Sequence, residues 1–66
     1  MRLTVNGQML ERADGLTLGA LLQELNLPAA GVVVERNHGI IARDALGDTA
    51  LTDGDRLEIV RLVGGG

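Results

Sequence analysis

A chain of 66 residues without cysteine forms one small domain that has neither disulfides nor zinc–thiolate sites. Its core must be aliphatic because the sequence has no Phe, Tyr or Trp, and this also excludes aromatic stacking on nucleic-acid bases. The net charge of -3 argues against a phosphate-binding surface, and the lack of a leader or a long apolar run favours a cytoplasmic location without a membrane partner.

The first part of the chain predicts a β-hairpin. Apolar and polar residues alternate over residues 1–5, as in a half-buried strand. Asn6-Gly7 supplies the two positive-φ positions of a tight turn. Residues 8–13 form the return strand, in which adjacent Met9 and Leu10 must face opposite sides, and the pattern does not decide which of the two is buried.

The next segment predicts an amphipathic helix. Thr17 is the expected N-cap, while Asn26 in the left-handed conformation and the following Pro28 end the helix. Gly19 weakens the helix by about 1 kcal/mol relative to Ala, and we expect it to allow close approach to the sheet. The apolar stripe that faces the core has the spacing i, i+3, i+4 and i+7 and consists of Leu18, Leu21, Leu22 and Leu25.

β-branched residues predict a third strand over residues 32–36. A turn follows at residues 37–39, and Gly39 is expected to take the positive φ that this turn needs. Ile40-Ile41 then forms a short fourth strand.

The last part of the chain predicts a helical turn, a tight turn and a final strand. Residues 44–46 supply the helical turn, with Leu46 and Leu51 filling the core. Asp53-Gly54-Asp55 is a tight turn, and the final strand runs over residues 56–63.

The final strand predicts both a buried and an exposed face. We place Leu57 and Ile59 in the core, which leaves Val60 and Leu62 facing outward. An exposed apolar pair beside the end of the sequence indicates a docking surface, so Val60, Leu62 and Val63 are predicted to contact a partner.

Three glycines, Gly64, Gly65 and Gly66, follow a predicted domain of residues 1–63 and are expected to form a flexible tail. Glycine has no Cβ, so such a tail can enter a channel that would exclude a side chain. With no bulk nearby, the carboxylate of Gly66 suits an enzyme that activates acyl groups. Taken alone, the glycines would favour a frayed end or a cloning scar, but the apolar, strand-like run before them favours a functional tail.

The order of elements predicts an α+β domain with a mixed sheet of four to five strands packed on one main helix. Because the helix links the first hairpin to a later strand, the first and last strands can pair in parallel at the sheet centre.

The remaining polar residues complete no catalytic, metal or cofactor site. His38, the only histidine, lies in a predicted turn without partners at metal or triad spacing. Asp53 and Asp55 lack the other ligands of a calcium loop, so turn chemistry accounts for them. The scattered glutamates are interpreted as solvated surface that can steer the chain toward basic partners. These glutamates are Glu11, Glu24, Glu35 and Glu58.

These residues resemble the ubiquitin-like β-grasp superfamily and, more narrowly, the ThiS-type sulfur carriers of thiamine biosynthesis. The Asp-Gly-Asp turn is typical of the fold, while the short length and the glycine end are typical of the carriers. The middle turn departs from the family pattern, because His38-Gly39 replaces Gly-Glu and Ala42 replaces a proline. The resemblance covers the whole sequence and is carried by Val5-Asn6-Gly7, Thr17-Leu18, Leu21-Leu22, residues 53–60 and Gly65-Gly66.

The resemblance implies a protein co-substrate and not an enzyme. A ubiquitin-activating-like (ThiF-type) enzyme would adenylate the carboxylate of Gly66, and a cysteine desulfurase or a relay would supply sulfur to form a thiocarboxylate. Thiazole synthase (ThiG-type) would then take the sulfur, with Gly64 and Gly65 entering each partner's active site. The alternatives are a carrier for a molybdopterin-type pathway, whose relatives are usually longer and contain aromatic residues, and a β-grasp interaction module without carrier chemistry.

Overall fold

The computed structural model describes residues 1–62. The predictions for Val63 and for the three glycines therefore lie outside the described residues. Residues 1–62 contain one helix, five strands and two short 3-10 turns, Ala29–Gly31 and Arg43–Ala45. The strands and the helix are β1 (Arg2–Val5), β2 (Gln8–Glu11), α1 (Leu18–Glu24), β3 (Val32–Arg36), β4 (Gly39–Ile40) and β5 (Arg56–Arg61).

The five strands form one mixed sheet in the order β2-β1-β5-β3-β4. The central pair, β1 and β5, is parallel, and the other neighbours are antiparallel. The parallel pairing is possible because α1 and the strands after it return the chain to the edge of β1. The predicted α+β fold and the parallel centre of the sheet are confirmed.

The hydrophobic core lies between α1 and one face of the sheet. Leu57 and Ile59 of β5 are buried in it, while the residues between and after them are exposed, as the alternation predicted. Leu46 and Leu51 close the core from the segment before β5. Among residues 1–62, the buried apolar side chains are Leu3, Val5, Leu18, Leu21, Leu22, Val32, Val34, Leu46, Leu51, Leu57 and Ile59.

The hairpin turn and both ends of α1 form where the sequence predicts them. Asn6 and Gly7 have φ of 49° and 81°, as expected of the tight hairpin turn. The Thr17 hydroxyl accepts from the Ala20 N–H at 3.2 Å and caps α1, and Asn26 ends the helical segment with φ of 59°.

The return strand β2 is shorter than predicted. It ends at Glu11, although backbone hydrogen bonds continue one residue further: the Arg12 N–H donates to the Met1 carbonyl at 3.0 Å, and the Met1 amino group donates to the Arg12 carbonyl at 2.7 Å. Leu10 is half-buried against the core, whereas Met9 is 65% exposed, which settles the alternative left open by the pattern.

The middle turn differs from the prediction. The positive φ values belong to Asn37 (49°) and His38 (74°), so the expectation for Gly39 was wrong, and β4 begins at Gly39 itself. Arg36 and Gly39 are paired in register, which leaves a two-residue turn, and tight turns of this kind need positive φ at both central positions. Asn37 is anchored there, because its side-chain oxygen accepts from the Arg56 N–H at 2.9 Å.

Gly19 allows close approach to a loop and not to the sheet. A Cβ at this position would lie 2.7 Å from the carbonyl oxygen of Gly47 and 2.9 Å from its Cα. Contacts this short require the backbone of the loop to move.

We expect Gly19→Ala to destabilise the protein by about 1–2 kcal/mol, because the cost of overpacking exceeds the helix-propensity gain of about 1 kcal/mol. Urea unfolding measures the change. Gly47→Ala is the matched control, since a Cβ there would meet no atom within 4 Å. A more stable Gly19→Ala variant would contradict the close packing of α1 on this loop.

Within residues 1–62, no helix combines the length and apolarity needed to cross a membrane.

Candidate functional site

The site begins with the anchoring of β5, the strand that leads toward the glycines. On one side β5 pairs with β3 as far as Arg61, which lies opposite Val32. Beyond the strand, the Leu62 N–H donates to the carbonyl of Gly31 at 2.9 Å. The chain is therefore held by the sheet to the last residue that the structure describes.

On its other side, β5 is held by a side chain. β1 pairs with β5 only at Thr4 and Val5 before the chain turns away. The side-chain amide of Asn6 then continues the hydrogen-bond ladder along β5. Its Nδ2 donates to the Ile59 carbonyl at 3.2 Å, and its Oδ1 accepts from the Ile59 N–H at 2.7 Å. Asn6 thus supplies the donor and the acceptor of a missing peptide group. Sequence reasoning assigned Asn6 to the turn alone and missed this second role.

Exposed apolar side chains lie next to this anchored end. Val60 is 56% and Leu62 is 48% exposed, so the predicted outward orientation of both residues is confirmed. Val33 of β3 lies directly opposite Val60 and is half-buried. We call Val33, Val60 and Leu62 the apolar strip. That it contacts a partner remains a prediction.

The Asp-Gly-Asp turn is a tight turn, as predicted, with φ of 88° at Gly54, but its second aspartate is buried. Asp55 is only 3% exposed and makes an ion pair of 2.9 Å with Arg36. It also accepts from the Thr52 N–H at 2.8 Å, from the Thr52 hydroxyl at 3.1 Å and from Nδ2 of Asn37 at 3.2 Å. These contacts tie the turn before β5 to the turn between β3 and β4.

Burial by itself raises the pKa of Asp55, but the hydrogen bonds from Thr52, Arg36 and Asn37 together outweigh it and hold the pKa below its usual value. Asp55 is therefore ionised in the folded protein near neutral pH. It works as a structural anchor and is not a candidate acid or base.

The other polar candidates do not converge on one another. His38 is exposed on the middle turn, and Asp53 accepts from the Arg2 N–H at 2.6 Å. Glu24, the last residue of α1, forms an ion pair with Arg12, which follows β2. Among residues 1–62, no group of three or more His, Asp or Glu side chains is placed to hold a metal ion.

Curated relatives of two kinds are matched over the full or nearly full chain. A thiazole synthase of Paramagnetospirillum magneticum is 41% identical over 66 residues, which is 100% of this chain and 20% of that protein. The chain thus spans about a fifth of the length of the thiazole synthases that it matches. The sulfur carrier protein ThiS of Bacillus subtilis is 38% identical over 65 residues, 97% of this chain and 98% of that protein.

A solved structure shows the same fold. The crystal structure of thiamine biosynthesis protein ThiS from Geobacter metallireducens matches with a TM-score of 0.82 and 38% sequence identity, covering 100% of both chains. The sequence model of the ThiS family matches residues 3–66, which include the anchored strand, the apolar strip and the glycines. The resemblance and the ubiquitin-like β-grasp fold that it implied are confirmed: this chain belongs to the ThiS family.

Proposed function

We propose that the chain is a sulfur carrier of thiamine biosynthesis and that the carboxylate of Gly66 carries the sulfur as a thiocarboxylate. Membership of the ThiS family supports this function. The observation that carries it furthest is the anchoring of β5 up to Leu62, since only three residues lie between that fixed point and Gly66. A folded domain with a short extension that ends in three glycines can present an acyl group to an active site on another protein.

The chemistry requires activation of the carboxylate, which is a poor electrophile. An oxygen of the Gly66 carboxylate attacks the α-phosphorus of ATP, and pyrophosphate leaves. A persulfide sulfur of the desulfurase or relay then attacks the carbonyl carbon of the acyl-adenylate, and AMP leaves with the bridging oxygen. A thiol then cleaves the S–S bond of the resulting acyl disulfide: it forms a disulfide with the donor cysteine, and the thiocarboxylate leaves. Glycine at position 66 has no substituent on Cα to obstruct either attack, and Gly64 and Gly65 add no side chain that would block a channel.

The proposed partners supply everything else. A ThiF-type adenylating enzyme provides the ATP site, a cysteine desulfurase or a relay provides sulfur, and thiazole synthase consumes the thiocarboxylate. The match to proteins named thiazole synthase supports the last of these, because they contain a segment similar to this whole chain. For the same reason thiamine synthesis is favoured over a molybdopterin-type pathway. The carrier acts as a co-substrate and contributes no catalytic residue.

Docking has a cost that the apolar strip can offset. Each residue of the glycine segment that becomes ordered costs roughly 1–2 kcal/mol of conformational entropy. Val60 and Leu62 expose apolar surface beside that segment, and burying it on a partner returns about 25 cal/mol per Å2.

The direct test is incubation with ATP, the adenylating enzyme of the same organism and a sulfur source, followed by intact-mass measurement. The expected product gains the mass difference between sulfur and oxygen. A chain that binds the enzyme but never gains this mass in complete reactions would contradict the carrier function and leave the interaction module as the alternative.

The partner role of the apolar strip can be tested separately with Leu62→Glu. We expect this variant to bind the adenylating enzyme at least about tenfold more weakly, because a charge is desolvated against an apolar contact. Isothermal titration calorimetry measures the affinity. Met9→Glu adds the same charge at an exposed apolar residue of the edge strand β2 and serves as the control. Equal affinities for Leu62→Glu and the unmodified chain would exclude the strip from the interface.

A further inference from the structure

Two carboxylates face each other on the outer face of the sheet. Glu35 of β3 and Glu58 of β5 are directly opposite in the antiparallel register. Glu58 is exposed and Glu35 is half-buried. Like charges at directly opposite positions destabilise a sheet, so this acidic pair is unfavourable for the isolated domain.

Nothing among residues 1–62 neutralises the acidic pair, because no basic group lies within 4 Å of either carboxylate. Two arginines form ion pairs with other carboxylates. The Nε of Arg2 lies 3.8 Å from Oε1 of Glu11, and Arg36 is paired with Asp55. Arg56 is two residues before Glu58 on β5 and makes no ion pair with it.

Apolar side chains flank the acidic pair. The pair of Val33 and Val60 is two positions along the same two strands, toward the glycine segment. Ile40 of β4 lies opposite Glu35 on its other side and is 73% exposed. The outer face near the end of β5 therefore combines exposed aliphatic surface with two carboxylates that have no ion-pair partner among residues 1–62.

We propose that the acidic pair receives an arginine or lysine side chain of the adenylating enzyme when the apolar strip docks. This inference rests on the proposed function. An enzyme that brings ATP and a carboxylate together needs positive charge near the reacting groups. The four residues after Leu62 extend at most about 14 Å, so Leu62 must dock within that distance of the reacting groups.

The acidic pair then destabilises the free chain and stabilises the complex with the adenylating enzyme. In the free chain the two charges repel, while in the complex the partner's cation interacts with both. Glu35→Gln and Glu58→Gln should each raise the melting temperature by about 2–5 °C, since the repulsion is removed and the shape is kept. Each should also weaken binding to the adenylating enzyme by at least about fivefold.

The control is Glu11→Gln, which changes the net charge by the same amount on the edge strand β2. Calorimetry of the enzyme with each variant, at low and at high salt, and thermal melts of the free chains give the two readouts. We expect the affinity to fall for Glu35→Gln and Glu58→Gln but not for Glu11→Gln. Binding of Glu35→Gln and of Glu58→Gln should also be less sensitive to salt than binding of the unmodified chain.

Three results would overturn it: unchanged affinity of both variants, an equal loss for Glu11→Gln, or a lower melting temperature, which would mean that the carboxylates already have favourable partners in the free chain. The carrier function is tested separately, by the intact-mass measurement of sulfur gain on the unmodified chain. If that gain occurs and the variants bind normally, only the acidic-pair inference fails.

Discussion

Deletion of Gly66 is expected to abolish sulfur loading and to leave the fold intact. Within residues 1–62 the buried core extends from Leu3 to Ile59, and a glycine has no side chain that could add to it. The truncated chain still ends in a glycine carboxylate, but that group stops about 3.4 Å short of its normal position. Displacement of a reacting group by even 1 Å can cost about 100-fold in rate, so a full residue removes turnover.

Intact-mass measurement on a mixture of full-length and truncated chains provides an internal control, because both chains meet the same enzyme, ATP and sulfur source. Only the full-length chain should gain mass, and thermal melts of the two should coincide. Loading of the truncated chain would show that the position of the terminal carboxylate does not matter, and the proposed mechanism would be wrong.

The largest stability effect is expected for Asp55→Ala. The substitution removes a buried carboxylate and leaves Arg36, Asn37 and the Thr52 N–H without their acceptor. Breaking a partly buried pair of this kind costs about 2–4 kcal/mol. A domain of this size has roughly 3–5 kcal/mol of stability in total, so much of the variant should be unfolded at 37 °C.

Urea unfolding followed by circular dichroism measures the loss. Asp53→Ala is the matched control, since Asp53 belongs to the same turn but is exposed and accepts one bond, from the Arg2 N–H. Its loss should cost about 1 kcal/mol. Equal costs for the two substitutions would contradict the anchoring role of Asp55.

Asp55 should also make the free energy of unfolding depend on pH. The pKa of Asp55 is lower in the folded protein than its usual value, so its contribution is fully present above the unfolded-state pKa of about 3.9. The contribution is lost as pH falls through the lower folded-state pKa. The difference in stability between the unmodified chain and Asp55→Ala should therefore shrink on acidification, which melts over a pH series would show. A constant difference would mean that the charge of Asp55 is unimportant.

Much of the fold could be predicted because its signals are local. The hairpin turn at Asn6-Gly7, the Thr17 cap and the leucine stripe of α1 each depend on a few neighbouring residues. The exposed positions of Val60 and Leu62 followed from alternation along one strand. The middle turn was placed correctly, but its positive φ values were not, because the register of β3 with β4 decides which residues occupy the turn.

The aliphatic core, the order of the elements and the glycine segment follow from the amino-acid sequence alone, because periodicity and turn chemistry act over a few residues. Four contacts come from the folded chain instead: Asp55 is buried, Gly19 lies against Gly47, Asn6 binds Ile59, and Glu35 lies opposite Glu58. Each of these depends on a partner brought close by the fold, as much as 53 residues away for Asn6 and Ile59, and no local pattern specifies such a neighbour.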